Sequence, residues 1–276
     1  MGRISATFEK LRRQGKKALI PYIMAGDPDL STTQALVLAL EQSGADIIEL
    51  GIPFSDPLAD GPVIQRASDR SLRNKTSLRA VMDLVRTLRR QTQIPLVLMS
   101  YYNPIYKYGE EKFAEDALAY GVDGVIIPDL PPEEAGQLIQ ISKRIGLDTI
   151  FLLAPTSTRE RIRRVSESSR GFIYYVSLTG ITGAALSSVR EIKAKLQEIR
   201  RYSTKPIAVG FGISTPAQAS QVARWADGVI IGSALVKLVE SHLQDPDLVK
   251  IVGAFVGNLR RAISPPFRSP SATPTP

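Results

Sequence analysis

The sequence predicts an α/β protein of the (β/α)8 TIM-barrel type, and two observations carry that prediction. Short apolar runs recur eight times along the chain, with helical periodicity in the segments between them. Several runs are entered through one local signature, in which a helix-ending glycine or alanine precedes an aspartate that leads into β-branched residues. It stands at Gly44-Ala45-Asp46, Gly121-Val122-Asp123, Gly146-Leu147-Asp148 and Ala226-Asp227-Gly228. Glycine just past a helix supplies the left-handed cap that ends it. Eight such units in roughly 250 residues close into a barrel more readily than they form an open sheet.

Taken in order, residues 4–14 read as an extra N-terminal helix that closes the bottom of the barrel. The strands are expected at 18–24, 46–50, 95–101, 124–128, 148–153, 171–176, 206–209 and 228–231. A second extra helix is expected at 63–72, after the acidic loop that follows the second strand. Between the second and third strands, residues 77–90 carry one apolar stripe, Leu78, Val81, Leu84, Val85 and Leu88, at helical spacing. One barrel domain over 1–263 is expected. The tail, 264–276, is rich in proline and serine, has almost nothing to bury beyond Phe267 and Ala272, and is expected to be disordered.

Composition narrows the function. With 276 residues and 43% hydrophobic content the chain can bury a large core, and no 18-residue apolar run suggests a membrane span. There is no cysteine, hence no disulfide framework and no thiolate nucleophile, which fits a reducing, cytoplasmic setting. Residues 1–10 lack an apolar signal core and include Glu9. The only histidine, His242, rules out histidine-based zinc clusters and argues against a Ser-His-Asp triad, so no metal site is expected. It lies in a late polar, helical stretch and reads as a surface residue. The net charge of +8 suits an anionic substrate. Nucleic acid is disfavoured, because the basic residues are scattered over helical segments without an aromatic platform.

In a barrel of this type the chemistry comes from the C-terminal ends of the strands and the loops after them. Alternation along 46–50 puts Glu49 on the same face as Ile47, and a carboxylate on such a face has a raised pKa, as a general acid/base requires. The loop behind it, up to Pro62, adds Asp56 and Asp60 and is stiffened by Pro53, Pro57 and Pro62. Glycines cluster after the last three strands, in Gly180-Ile181-Thr182-Gly183, Gly210-Phe211-Gly212-Ile213 and Gly232-Ser233-Ala234. Glycine permits close backbone approach, and a helix starting near Ser233 would aim N–H groups at an anion, so a phosphate site is expected there. Residues 177–188, rich in Gly, Ala, Ser and Thr, have the composition of a lid.

Six motifs together give the chain its resemblance. They are Pro21-Tyr22-Ile23-Met24-Ala25-Gly26-Asp27-Pro28, the long run from Glu49 to Pro62, Tyr101-Tyr102-Asn103-Pro104, Pro128-Asp129-Leu130-Pro131, Gly180-Ile181-Thr182-Gly183 and Gly210-Phe211-Gly212-Ile213. With them the chain resembles the α subunit of tryptophan synthase from about Ile4 to Ile263. That resemblance implies cleavage of indole-3-glycerol phosphate to indole and glyceraldehyde 3-phosphate, without metal or organic cofactor in this chain. It implies Glu49 as the acid/base carboxylate, Asp60 as the partner of the indole N–H, and Tyr174 beside the reacting carbons. Thr182 would help orient Asp60, while Tyr22, Met99, Ile126 and Phe211 would surround the indole ring. Gly183, Gly212, Gly232 and Ser233 would hold the phosphate. Pro53, Asp56, Pro57, Asn103 and Pro131 would form the rim that meets a β subunit carrying pyridoxal phosphate, in an α2β2 tetramer. A stand-alone indole-glycerol phosphate lyase and an inactive barrel that only activates the β subunit are the alternatives.

Overall fold

A computed structural model describes residues 2–177, 189–210 and 212–264. The strands are β1 (Ala18–Met24), β2 (Ile48–Gly51), β3 (Leu96–Met99), β4 (Gly124–Ile126), β5 (Asp148–Ile150), β6 (Leu152–Leu153), β7 (Ile173–Val176), β8 (Ile207–Gly210) and β9 (Gly228–Ile231). All pair in parallel, in the order β5-β4-β3-β2-β1-β9-β8-β7-β6. The two ends of that order, β5 and β6, are separated only by Phe151, so the sheet comes round on itself. The single strand expected at 148–153 is thus broken in two. The reason is local: the Phe151 N–H turns to the Ser169 hydroxyl at 3.3 Å, while its carbonyl accepts from Tyr174 N–H at 3.1 Å.

The helices are α1 (Arg3–Arg13), α2 (Leu30–Gln42), α3 (Pro62–Arg73), α4 (Leu78–Leu88), α5 (Tyr102–Tyr108), α6 (Glu110–Tyr120), α7 (Gly136–Ile145), α8 (Arg159–Ser168), α9 (Val189–Arg200), α10 (Pro216–Ala223), α11 (Ser233–Ser241) and α12 (Leu248–Ile263). Both extra helices are present, as α1 and α3. The stripe read from the sequence of α4 is buried in full, and Ser77 caps its start by accepting from Ala80 N–H at 3.2 Å. α6 and α7 end at Gly121 and Gly146, both left-handed, with φ of 95° and 92°. The tail beyond Ser264 lies outside the described residues.

Side-chain alternation divides the core into two layers. Inward residues such as Ile20, Ile47, Val97, Ile126, Ile150 and Ile230 fill the barrel, and Ile4, Phe8 and Leu11 of α1 plug it from below. Outward residues such as Leu19, Ile48, Leu98 and Val229 pack on the helices. Glu49 pairs in register with Tyr22 on β1 and Val97 on β3, which commits its side chain to the inner layer.

The aspartate signature has a physical function at the N-terminal pole. Asp46 accepts from Leu19 N–H at 2.8 Å and from Arg260 at 2.6 Å; Asp227 accepts from Ile207 N–H and from Arg200, both at 2.9 Å. Asp123 accepts from Leu96 N–H at 2.8 Å, from Arg89 at 2.6 Å and from Arg3 at 3.0 Å. Asp148 meets Arg170 at 3.3 Å. Each aspartate ties a strand entrance to a distant cation. Removing one partner of such a pair strands the other in a poorly solvated place. Asp123→Ala is therefore expected to cost about 3 kcal/mol and to lower the melting temperature by roughly 6–12 °C. Arg144→Ala, which breaks the exposed pair with Glu111, is expected to cost under about 0.5 kcal/mol. Thermal melts followed by circular dichroism at pH 7 check both, and equal shifts would refute the difference in role.

Candidate active site

The C-terminal ends of the strands open on a cavity of about 410 Å³, with Glu49, Asp60, Tyr22, Tyr174, Met99 and Gly232 among its walls. Glu49 is fully buried, and neither carboxyl oxygen has a hydrogen-bond partner among the described residues. An ionised carboxylate there would lose its hydration with nothing in return. Burial accordingly pushes its pKa from 4.5 to about 8. The group carries its proton at neutral pH and faces the cavity, the condition a general acid needs.

Asp60 is held differently. Its carbonyl accepts from Gln65 on α3 at 2.9 Å, and its own N–H donates to the Pro57 carbonyl at 3.0 Å. The Tyr101 hydroxyl accepts from Ala59 N–H at 2.9 Å, next to Asp60, and the Tyr101 ring stacks on Phe54 at 5.2 Å. Burial raises the Asp60 pKa to about 6, with the nearby Tyr101 hydroxyl pulling the other way. At pH 7 Asp60 is mostly ionised and Glu49 mostly neutral. Two carboxyl groups at one cavity are thereby split into a proton donor and a fixed negative charge.

Two tyrosines stand beside them over glycines. A Cβ on Gly51 would lie 2.1 Å from the Tyr22 hydroxyl, and one on Gly210 would lie 2.5 Å from the Tyr174 hydroxyl. Only glycine leaves room for these rings. Burial first, and the nearby carboxyl groups after it, push both phenols well above their usual range, so they remain neutral donors. Gly212, with φ of 78°, Gly232 and Ser233 line the same cavity. α11 begins at Ser233, and the N–H groups of Ser233 and Ala234 lie ahead of the helix's own ladder, whereas Leu235 N–H donates to the Gly232 carbonyl at 2.8 Å.

Of the residues expected from the sequence, Glu49, Asp60, Tyr174, Tyr22, Met99, Gly212, Gly232 and Ser233 come together at this cavity. Ile126 does not reach its wall; it sits in the inner layer of the barrel, fully buried. Thr182, Gly183 and Phe211 lie outside the described residues, as does the expected lid from 178 onward. At the rim Asp56 and Asn103 are exposed and Pro57 and Pro131 half-buried, whereas Pro53 is buried by its own chain. Leu58 stands between them almost fully exposed. Sequence reading missed Tyr101 as the clamp on the loop that carries Asp60, and Ile64, Leu152 and Val176 as cavity wall. The position of Tyr101 just past a strand end was the available signal.

A second cavity, about 430 Å³, lies at the opposite pole between Phe8, Arg12, Lys17, Arg200 and Asp227. It is slightly larger but chemically poorer, since its carboxylates Glu9 and Asp227 are each engaged by an arginine. His242 is half-buried at the end of α11, with Nδ1 3.0 Å from the Leu238 carbonyl, and lines neither cavity.

The profile of the family described as "Tryptophan synthase alpha chain" matches residues 8–263. The chain belongs to the tryptophan synthase alpha chain family. It is 52% identical to the tryptophan synthase alpha chain of Citrifermentans bemidjiense, over 95% of this chain and 98% of that one. Among solved structures, tryptophan synthase subunit alpha from Legionella pneumophila superposes with a TM-score of 0.89 at 43% identity, covering 95% of this chain and 98% of that one. A chain of tryptophan synthase from M. tuberculosis, in an aminoacrylate-bound form, gives 0.86 at 37% identity, covering 96% and 100%. No helix of the described residues is long and apolar enough to cross a membrane.

The raised pKa of Glu49 is also a statement about stability. The folded chain holds this proton up to about pH 8, whereas the unfolded chain releases it near 4.5. Between those values the folded state binds more protons, so the contribution is complete below 4.5 and is lost as pH rises through 8. The loss is on the order of 4 kcal/mol. Glu49→Gln is therefore expected to melt within about 2 °C of the parent at pH 5 and at least about 5 °C above it at pH 9. A constant difference across that range in calorimetry would exclude a buried, partnerless carboxyl.

Proposed function

We propose that the chain cleaves indole-3-glycerol phosphate to indole and glyceraldehyde 3-phosphate as the alpha subunit of tryptophan synthase. The observation that carries the mechanism is the split between a neutral Glu49 and an ionised Asp60 at one cavity whose walls include the start of α11. The substrate's phosphate would lie on the backbone N–H groups around Gly212, Gly232 and Ser233, with Gly183 completing the set. The indole ring would lie among Tyr22, Met99 and the apolar wall. Glu49 then gives its proton to indole C3, which places positive charge on the ring nitrogen. Asp60 accepts the N–H hydrogen bond and opposes that charge. The Glu49 carboxylate so formed takes the proton of the glycerol hydroxyl next to the ring as the carbon–carbon bond breaks. Indole and the aldehyde leave, and Glu49 is again protonated.

Magnitudes show why both acids are needed. An enzyme typically lowers its barrier by at least about 8 kcal/mol. General acid catalysis supplies roughly 3 to 5.5 kcal/mol of it. The charge of Asp60 and the anchoring of the distant phosphate account for the remainder. The rim formed by Asp56, Pro57, Asn103 and Pro131 is the surface offered to the β subunit, which carries the pyridoxal phosphate, in an α2β2 assembly. Exposed Leu58 adds apolar area there. The absence of cysteine suits work in the cytoplasm.

Indole release measured across pH tests the assignment. The competent free enzyme has Asp60 ionised, above about pH 6, and Glu49 protonated, below about pH 8. kcat/KM is therefore expected to be bell-shaped with limbs near those values. Glu49→Gln is expected to abolish release while binding survives, and Asp60→Asn to lower kcat about 10²- to 10³-fold and erase the acid limb. Activity of the Gln variant within tenfold of the parent would remove Glu49 from the role.

A further inference from the structure

Apart from Tyr101, the loop that carries Asp60 hangs on α3. Gln65 holds the Asp60 carbonyl, and Ser68 both donates to the Phe54 carbonyl and accepts from Phe54 N–H, each at 2.9 Å. α3 is a helix additional to the barrel repeat, and its buried apolar contacts are few: Ile64 and Ala67 against Tyr22, Met24 and Val236, with Val63 and Met99 partly buried beside them. Neutral hydrogen bonds add to the fastening, from the Ser71 hydroxyl to the Ala25 carbonyl at 2.6 Å and from Asn74 to the Pro28 carbonyl, and charge completes it. Arg70 donates to both oxygens of Asp27 at 2.8 Å and, through its remaining nitrogen, to Glu240 at 2.8 Å. Arg66 donates to both oxygens of Glu240 at 2.7 and 2.8 Å. Asp27 is 3% exposed and follows β1, while Glu240 lies on α11, whose other end is Ser233. Hydrogen bonds from Arg66 and Arg70 lower the pKa of the Glu240 carboxyl to about 2, so Glu240 stays ionised wherever the enzyme works.

We propose that Arg70 is a positioning residue for the cleavage: by tying α3 to Asp27 and Glu240 at once, it sets where Asp60 stands relative to the phosphate end of α11. This rests on the role assigned to Asp60 above. The guanidinium fork is required, because one ammonium group cannot satisfy the Asp27 carboxylate bidentately and reach Glu240 as well. A misplacement of Asp60 by a fraction of an ångström weakens charge stabilisation in the transition state more than it weakens ground-state binding.

The test is a double-mutant cycle on the full chain with the β subunit present, assayed well below each variant's melting temperature. Arg70→Lys is expected to lower kcat about tenfold or more with KM changed less than about threefold. In an Asp60→Asn background the same substitution is expected to lower the residual rate, read as indole accumulated over hours, by less than about twofold. A folded Arg70→Lys variant with parental kcat would overturn the proposal, because the network would then be structural only. So would a full loss repeated in the Asp60→Asn background, since Arg70 would then act elsewhere. Asp60→Asn alone with near-parental activity would instead refute the reading of Asp60 and leave Arg70 nothing to position. If Arg70→Lys does not fold, Glu240→Gln, which weakens one arm of the network, is read by the same criteria.

Discussion

Everything at the catalytic end of this barrel depends on one unfavourable placement, a carboxyl group inside the inner layer with no hydrogen-bond partner among the described residues. Glu49 stands in register between Tyr22 and Val97, where the neighbouring inward positions carry apolar side chains. The low polarity of that layer keeps the proton on the group at neutral pH. The same burial that makes Glu49 an acid makes it a liability to the fold once it ionises, and the chain offsets that elsewhere.

The offset is visible at the other pole. Four strand entrances end in aspartates tied to arginines drawn from α1, α12 and the segments around α4, α8 and α9. Every carboxylate there has a cation, and three also take a backbone N–H. Stability and chemistry thus sit at opposite ends of the same strands. Between them, α3 carries the loop with Asp60 and is fastened by directed hydrogen bonds and ion pairs more than by a wide apolar face.

Much of this was legible in the sequence, and the reasons for the rest are physical. Alternation over residues 46–50 was enough to turn Glu49 inward, because period two is a property of any strand. The aspartate signature marked the strand entrances, but not the arginines: Arg260 meets Asp46 across 214 positions of chain, and no local pattern encodes such a pairing. Ile126, which the resemblance put beside the indole ring, lies deeper in the inner layer, because the depth of a residue in the barrel is set by how the whole sheet closes. Pro53 was expected at the rim from the resemblance, and its own chain covers it. Tyr101 was visible only as part of a motif, since which neighbour a phenol reaches depends on how the loop after β2 folds back over the end of β3.

The central claim is that Glu49 is neutral at pH 7 because it is buried without a partner, and direct titration of that carboxyl tests it best. Carbon-13 label in the glutamate side chains, followed by NMR with Glu49→Gln to assign the signal, gives the pKa without reference to activity. The account requires a midpoint near 8. A midpoint in the ordinary carboxylate range, about 4 to 5, would mean that the group is solvated or paired and would contradict it.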